Sequence, residues 1–234
     1  MKIIYLLNSG FAVCINELLL VFDDYADPAK IVAKRVAASD FAALYFFVSH
    51  AHFDHFDPHI LTYAPHVTRY IMSREIARTK RGKLFPPELT VFLPNYAEWN
   101  DDIIAVKTFS STDTGTSFLV SAEGKTVFHA GDFNWWHWSA DTAENIRAAE
   151  RNFKSQMEKL DGISADVAFF PVDGRLGDGQ EWGAREFLAR TDTRALVAMH
   201  NVGFPRWQPS ANFFVKKAPV PYWSPIEPGE NITL

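Results

Sequence analysis

The sequence predicts a layered α/β fold in which sheets are covered by helices. Three observations point there. Short apolar runs cluster as antiparallel-looking hairpins in the first half, and similar runs alternate with helix-period segments in the second. The length of 234 residues suits one α/β domain, 1–234, that buries roughly 70% of its unfolded surface. Apolar residues make up 47% of the chain and charged residues 22%, the balance of a globular protein.

Taken in order, "KIIYLL", a turn at Asn8–Gly10, "FAVCI" and "LLLVF" read as a hairpin unit. "DPAKIVAKRVAAS" follows as a short helix with Pro28 near its first turn and Asp27 as its cap. "LYFFV" is a buried strand, and further strands are expected at "VTRYIM", "IIAVKTF", "TSFLVS", "KTVFHA", "DVAFFPV" and "RALVAM". In "AENIRAAERNFKSQMEKLDG", Ile146, Ala149, Phe153, Met157 and Leu160 recur at helical steps as one core stripe, and Gly162 closes the run. "QEWGAREFLAR" is a shorter helix.

Composition excludes several classes. A net charge of −5 argues against a nucleic-acid binder, which needs a basic face. The densest basic run, "RTKRGK" at Arg78–Lys83, reads as a solvated loop. The single Cys14 rules out an internal disulfide and a cysteine-based zinc site, and a reduced thiol fits a cytoplasmic chain. Asn8, Ser9 and Gly10 interrupt the opening apolar run too early for a signal peptide, and no window is long enough for a membrane span.

The chemistry is concentrated where strands stop. "FFVSHAHFDHFDPH" at Phe46–His59 holds four of the eight histidines. Four apolar runs end on metal-competent residues: "LYFFVS" on His50, "KTVFHAG" on Asp132, "DVAFFPV" on Asp173 and "RALVAM" on His200. A rigid sheet aims groups at its strand ends toward one place. His50 and His52 alternate along an extended segment, so they point the same way and can grip one ion. Asp54 and His55 leave on a turn toward a second ion, whose shell His200 completes. Asp132 is the carboxylate able to bridge the two ions, and Gly131 allows close backbone approach.

"HAHFDH" resembles the HxHxDH signature of the metallo-β-lactamase superfamily, "HAGD" at His129–Asp132 resembles its bridging aspartate, and "AMH" at Ala198–His200 its final histidine. "LLLVFDD" is similar to its early strand ending in a ligand-orienting aspartate, here Asp23 or Asp24. The resemblance is spread over most of the chain and implies a four-layer αββα sandwich with one or two zinc, iron or manganese ions. Within the superfamily, the chain resembles the branch of small metal-dependent hydrolases that includes ascorbate-phosphate lactonases. "STDTGTSFLV", "HAGDFNWWHW" and "FFPVDGRLG" resemble an uncharacterised bacterial subgroup of that branch.

One departure stands out. The superfamily supplies a third histidine to the first ion between HxHxDH and the bridging aspartate. Here the interval between Asp57 and Phe128 contains only His59 and His66, both too close to the first motif. At the expected place stands "SSTDTG", so Asp113 is the expected replacement. Asp54, Asp113, Asp132 and one hydroxide would then cancel the charge of two divalent ions. A more neutral, harder donor set is a weaker Lewis acid and shifts preference from zinc toward manganese or iron.

Other residues carry smaller expectations. The Trp135–Trp138 loop either walls a pocket, with His137 as proton donor, or caps the core. Asn134 is a candidate donor to a substrate oxygen. Asp173 and Arg175 either face an anionic substrate group or form a structural turn. His129 is expected near the site without binding metal, His66 is expected at the surface, and His59 carries no assigned role. The expected function is hydrolysis of a small-molecule ester, lactone or phosphoester by a metal-activated water, with Asp54 orienting the nucleophile or carrying its proton. The alternatives are oxidation at a single iron held by His50, His52 and Asp132, and a non-catalytic metal-binding module.

Overall fold

Alternation of side chains along the first strands decides which layers they join. The structure, a computed structural model, describes residues 1–234. In β1 (Lys2–Leu7), Ile3 and Tyr5 face one apolar cluster and Ile4 and Leu6 another. β2 (Gly10–Ile15), β3 (Leu18–Phe22) and β4 (Ala43–Val48) divide in the same way, so Leu18, Leu20 and Phe22 go to the first cluster and Leu19 and Val21 to the second. A strand buried on both faces reads as an unbroken apolar run, which is why "LLLVF" and "LYFFV" look continuous.

The strands form two seven-stranded sheets. The first adds β5 (Arg69–Ser73), β6 (Thr90–Leu93) and a closing β16 (Asn231–Thr233), in the order β16-β1-β2-β3-β4-β5-β6. The second comprises β7 (Glu98–Asn100), β8 (Ile104–Ser110), β9 (Thr116–Ala122), β10 (Lys125–His129), β12 (Val167–Pro171), β14 (Leu196–Met199) and β15 (Tyr222–Trp223), in the order β15-β14-β12-β10-β9-β8-β7. β11 (Ser164–Ala165) and β13 (Asp192–Thr193) pair with each other apart from both sheets. Each large sheet is half antiparallel and half parallel: β3 to β6 run parallel in the first, and β10, β12, β14 and β15 in the second.

The sheets stack through aromatic rings. Phe11 lies 4.6 Å from Phe169, and Phe47 meets Phe118 edge-on at 5.5 Å. On the far side of the second sheet, α2 (Ala143–Met157) and α3 (Trp182–Arg190) supply Phe153, Met157 and Phe187, the last 4.9 Å from Phe128 and from Phe170. On the far side of the first, α1 (Ile31–Ala38) and the 3-10 segment Pro58–His66 contribute Val32 and Ile60. The layers therefore run helix, sheet, sheet, helix, the αββα order the resemblance implies.

The differences from the expected elements have local causes. α1 starts at Ile31 because Lys30 takes a left-handed φ of 55°, yet Asp27 still caps it, accepting from Val32 N at 2.7 Å. α2 ends at Met157 rather than Gly162; Leu160 stays buried in the turn that follows. β6, β7, β11, β13, β15 and β16 lie outside the expected strands: β6, β7, β15 and β16 are sheet edges and β11 and β13 a separate two-residue pair, all with too few residues to show a period of their own. No helix is long and apolar enough to cross a membrane.

Phe118 is fully buried between the sheets. Replacing it by alanine removes the ring facing Phe47 and leaves a cavity, for an expected loss of about 3–5 kcal/mol. Urea unfolding should show a lower midpoint with an unchanged slope; a loss below about 1 kcal/mol would contradict this packing.

Candidate metal centre

Groups at the C-terminal ends of the parallel strands β3, β4, β12 and β14, and in the loop after β10, meet at one end of the sandwich. β3 ends at Asp23, β4 leads to Ser49 and His50, β10 to Asp132, β12 to Asp173 and β14 to His200. Two glycines allow the approach. A Cβ on Gly115 would lie 2.1 Å from Ser49 O and 2.4 Å from the His50 Cβ, and one on Gly131 would lie 2.8 Å from the Ser49 Cβ. Both adopt positive φ, 78° and 55°. Thr116 N donates to Ser49 O at 3.0 Å, tying the end of β4 to the second sheet.

Asp132 sits at the centre. Its Oδ2 lies 3.4 Å from His50 Nε2, and its Oδ1 lies 3.1 Å from His55 Nε2 and 3.4 Å from His200 Nε2. The remaining nitrogen of each imidazole is already engaged. Asp23 Oδ2 faces His55 Nδ1 at 2.7 Å and accepts from Ser49 Oγ at 2.6 Å. Ser49 Oγ, having donated to Asp23, accepts from His50 Nδ1 at 2.9 Å. Asp173 Oδ2 faces His200 Nδ1 at 3.1 Å. With Nδ1 of each ring engaged in this way, Nε2 is the nitrogen turned toward Asp132, able to carry a proton or to give its lone pair to a cation in the proton's place.

Two donor groups result: His50, His52, Asp113 and Asp132 in one, Asp54, His55 and His200 in the other. His52 Nδ1 is 3.7 Å from Asp113 Oδ2, and both side chains are about half exposed. Asp54 Oδ2 is 3.7 Å from His200 Nε2 and accepts from Asn8 Nδ2 at 3.2 Å. The structure thus brings together every residue expected as a ligand, Asp113 included. Asp132 also faces the second group through Oδ1, near His55 Nε2 and His200 Nε2.

The donors fit divalent cations. His50 Nε2, His55 Nε2 and Asp132 Oδ1 are buried and have no hydrogen-bond partner, an arrangement that costs free energy unless a cation fills it. Burial disfavours ionised Asp132, but His55, His50 and His200 outweigh it and hold the carboxyl well below the usual range. Burial likewise opposes a charged His55, yet Asp132 and Asp23 push its pKa up to about 10. The electrostatics of the cluster demand positive charge at this point.

The surroundings resolve several open choices. Asp23, not Asp24, orients the ligands; Asp24 is 3.3 Å from His59 Nε2 on the other side of the turn. His129 is buried, accepts from Gly131 N at 3.2 Å and donates Nε2–H to Ser9 O at 2.9 Å, which leaves no lone pair for a metal. Asp173 orients His200 and also takes the Nε and Nη2 of Arg175. His200 holds a left-handed φ of 61°, a strained backbone at a ligand.

Three expectations are corrected. His137 lies outside the residues that line the cleft: its ring packs 4.4 Å from Trp182, so this geometry gives it no contact through which to donate a proton. Asn134 is buried against Gly183 of α3 and faces no substrate space. "RTKRGK" is not wholly solvated, because Arg81 donates to Phe56 O and Ala51 O and stacks 5.0 Å over the Phe56 ring. Together with Glu75, which accepts from Ala51 N at 2.7 Å, it pins the ligand loop. Ser49, Asn8, Glu75 and Arg81 escaped the sequence reading. Only Ser49, directly before His50, carried a local signal.

Known structures share this architecture. Igni18, a novel metallo hydrolase from the archaeon Ignicoccus hospitalis KIN4/I, superposes with a TM-score of 0.62 at 17% identity, over 99% of this chain and 97% of that one. YhfI from Bacillus subtilis, a metallo-β-lactamase fold protein, gives 0.59 at 12% identity over 99% of both chains. This chain has the metallo-β-lactamase fold. CmlA, a diiron β-hydroxylase from Streptomyces venezuelae, shares it at a TM-score of 0.56 and 12% identity, over 85% of this chain and 44% of CmlA. No protein-family model matches the sequence, and no curated protein does.

Ser49→Ala should lower metal affinity about 10–100-fold by freeing the His50 ring from Asp23, measured by competition with a chromophoric chelator; unchanged affinity would refute the relay. Asp113→Ala should lose occupancy at the more exposed donor group while the other remains filled. Two equally filled sites by elemental analysis would remove Asp113 from the ligand set.

Proposed function

We propose that this protein is a metal-dependent hydrolase acting on a small-molecule ester, lactone or phosphoester. The observation that carries the reading is the convergence of three buried imidazole Nε2 atoms on Asp132, with the opposite nitrogens held by Asp23, Ser49 and Asp173. His50, His52, Asp113 and Asp132 would hold one cation and Asp54, His55 and His200 the other, and Asp132 Oδ1, beside His55 and His200, would be available to both. Bound divalent ions supply Lewis acidity there, lowering the pKa of water from 15.7 toward roughly 7 and polarising the attacked carbonyl or phosphorus.

The chain's own residues do the rest. Asp54 is partly exposed to the cleft, and Asn8 Nδ2 orients its Oδ2. Where that carboxylate is not taken up by a cation, it would orient an attacking water or carry its proton to a leaving group. Asp23 and Asp173 keep the imidazoles in one tautomer through the reaction. Trp136 donates Nε1–H to Asp132 O at 2.9 Å and closes one side of the cleft against solvent.

A second reading is oxidation at iron. Three carboxylates among the donors form a harder, more anionic set than imidazole alone, and CmlA shows the same fold around a diiron centre. One experiment separates the two. Protein purified anaerobically, and separately reconstituted with zinc, manganese or iron, is assayed on ester, lactone and phosphodiester panels and for oxygen uptake, beside Asp132→Ala. The hydrolase reading expects turnover with bound metal, background rates for Asp132→Ala and no oxygen uptake. Oxygen consumption by the iron form alone favours oxidation, and full metal occupancy with neither turnover on any panel nor oxygen uptake defeats both.

A further inference from the structure

The apolar stripe of α2 does not all reach the core. Phe153 and Met157 do, but Ala149 and Ile146, one and two turns before Phe153 on that stripe, line a cleft of about 510 Å³ beside the metal donors. The tryptophan loop divides in the same way. Trp135 packs 5.6 Å from Phe153 and 5.3 Å from Trp182, whereas Trp136 and Trp138 line the cleft. These two indoles lie nearly parallel, 5.8 Å apart at 5°, and Trp136 sets its edge against His200 at 5.6 Å. At the mouth, Phe53 is 81% exposed within the ligand motif itself. Apolar side chains thus face one another across the cleft with no protein between them, and the volume lies in the range of small-molecule sites.

One cation stands in this wall. Arg175 lines the same cleft, with its guanidinium 5.4 Å over the Trp138 ring. Asp173 takes Nε and Nη2, which fixes the fork and leaves Nη1 without a protein partner. A guanidinium held in place on two sides loses little freedom when it binds an oxyanion. Asp141, outside the donor groups, lines the cavity as well, and its charge disfavours a polyanion.

We infer that the cleft selects an amphiphilic monoanion: a substrate with one carboxylate-like or phosphodiester-like group on Arg175 Nη1 and an apolar body between Trp136–Trp138 and Ile146–Ala149. The recognition stands on this wall, and only the bond cleaved rests on the hydrolase reading.

The test is calorimetric titration of the full metal-loaded chain with 2-naphthalenesulfonate, a poor metal ligand, and with neutral 2-naphthalenemethanol. The sulfonate should bind about tenfold tighter or more, the scale of a charge-assisted hydrogen bond. Arg175→Met should erase that ratio to within about twofold while the alcohol binds as before, and Arg175→Lys should restore part of it. Ile146→Ser should weaken both probes. Thermal unfolding of each variant checks folding, and because Arg175 is half exposed its replacements are expected to fold. Equal binding of the two probes, or a ratio untouched by Arg175→Met, overturns the inference.

In parallel, the loaded protein is given 4-nitrophenyl butyrate and the 4-nitrophenyl monoester of glutarate. Cleavage of neither, with the binding ratio intact, defeats the hydrolase reading alone. Cleavage of both at equal kcat/KM, with a flat ratio, defeats this inference alone.

Discussion

The Asp132 carboxylate lies almost out of contact with water, within 3.1–3.4 Å of three imidazole nitrogens. Neither a bare carboxylate nor a bare imidazolium is tolerated at such depth. What makes the arrangement sustainable is positive charge between the rings and a fixed direction for each lone pair. Asp23 and Asp173 impose that direction from behind, one on His55 and, through Ser49, on His50, the other on His200. The centre is therefore built as two rings of charge, with carboxylates outside, imidazoles between, and a carboxylate at the middle. Positive charge in the gaps, on a ring nitrogen or on a cation, offsets the central carboxylate.

Two half-parallel sheets, stacked through apolar and aromatic side chains, bring these groups together. Parallel strands end at the same edge of their sheet, so β3 and β4 from one and β12 and β14 from the other, with the loop after β10, deliver Asp23, His50, Asp173, His200 and Asp132 to one rim. The rim is narrow enough that Gly115 and Gly131 are required at the contact with Ser49 and His50. The ligand loop after β4 has no sheet to hold it, and Arg81 and Glu75 take that role by capturing its backbone. A substitution in this basic loop reaches the metal donors through two carbonyl groups.

Function beyond the metals depends on how apolar surface is divided. Trp135 and Phe153 complete the core, while Trp136, Trp138, Ile146 and Ala149 face open space. Cleft and core are continuous here, with Trp135 and Trp136 adjacent in the chain and pointing to different sides. A rigid aromatic wall beside reactive groups excludes water and orients a bound molecule at small entropic cost.

Much of this was legible in the residues themselves. Strand positions followed from apolar runs and their ends, and the donors were visible because His50, His52, Asp54, His55, Asp132 and His200 terminate or follow such runs. Asp113 could be picked out only against the family pattern, as the donor standing where a histidine was expected. Local signal could not separate Asp23 from Asp24, tell a core-facing Ile146 from a cleft-facing one, or show that His137 packs on Trp182. It also missed Arg81, whose partners lie 25 and 30 residues away. The sequence by itself determined which residue types stand at strand ends, because period and chemistry are properties of neighbours along the chain. Only the tertiary structure decided which of those side chains meet in one donor group, on one carboxylate or in one cleft, because that depends on how two sheets stack, and stacking is a property of distant segments.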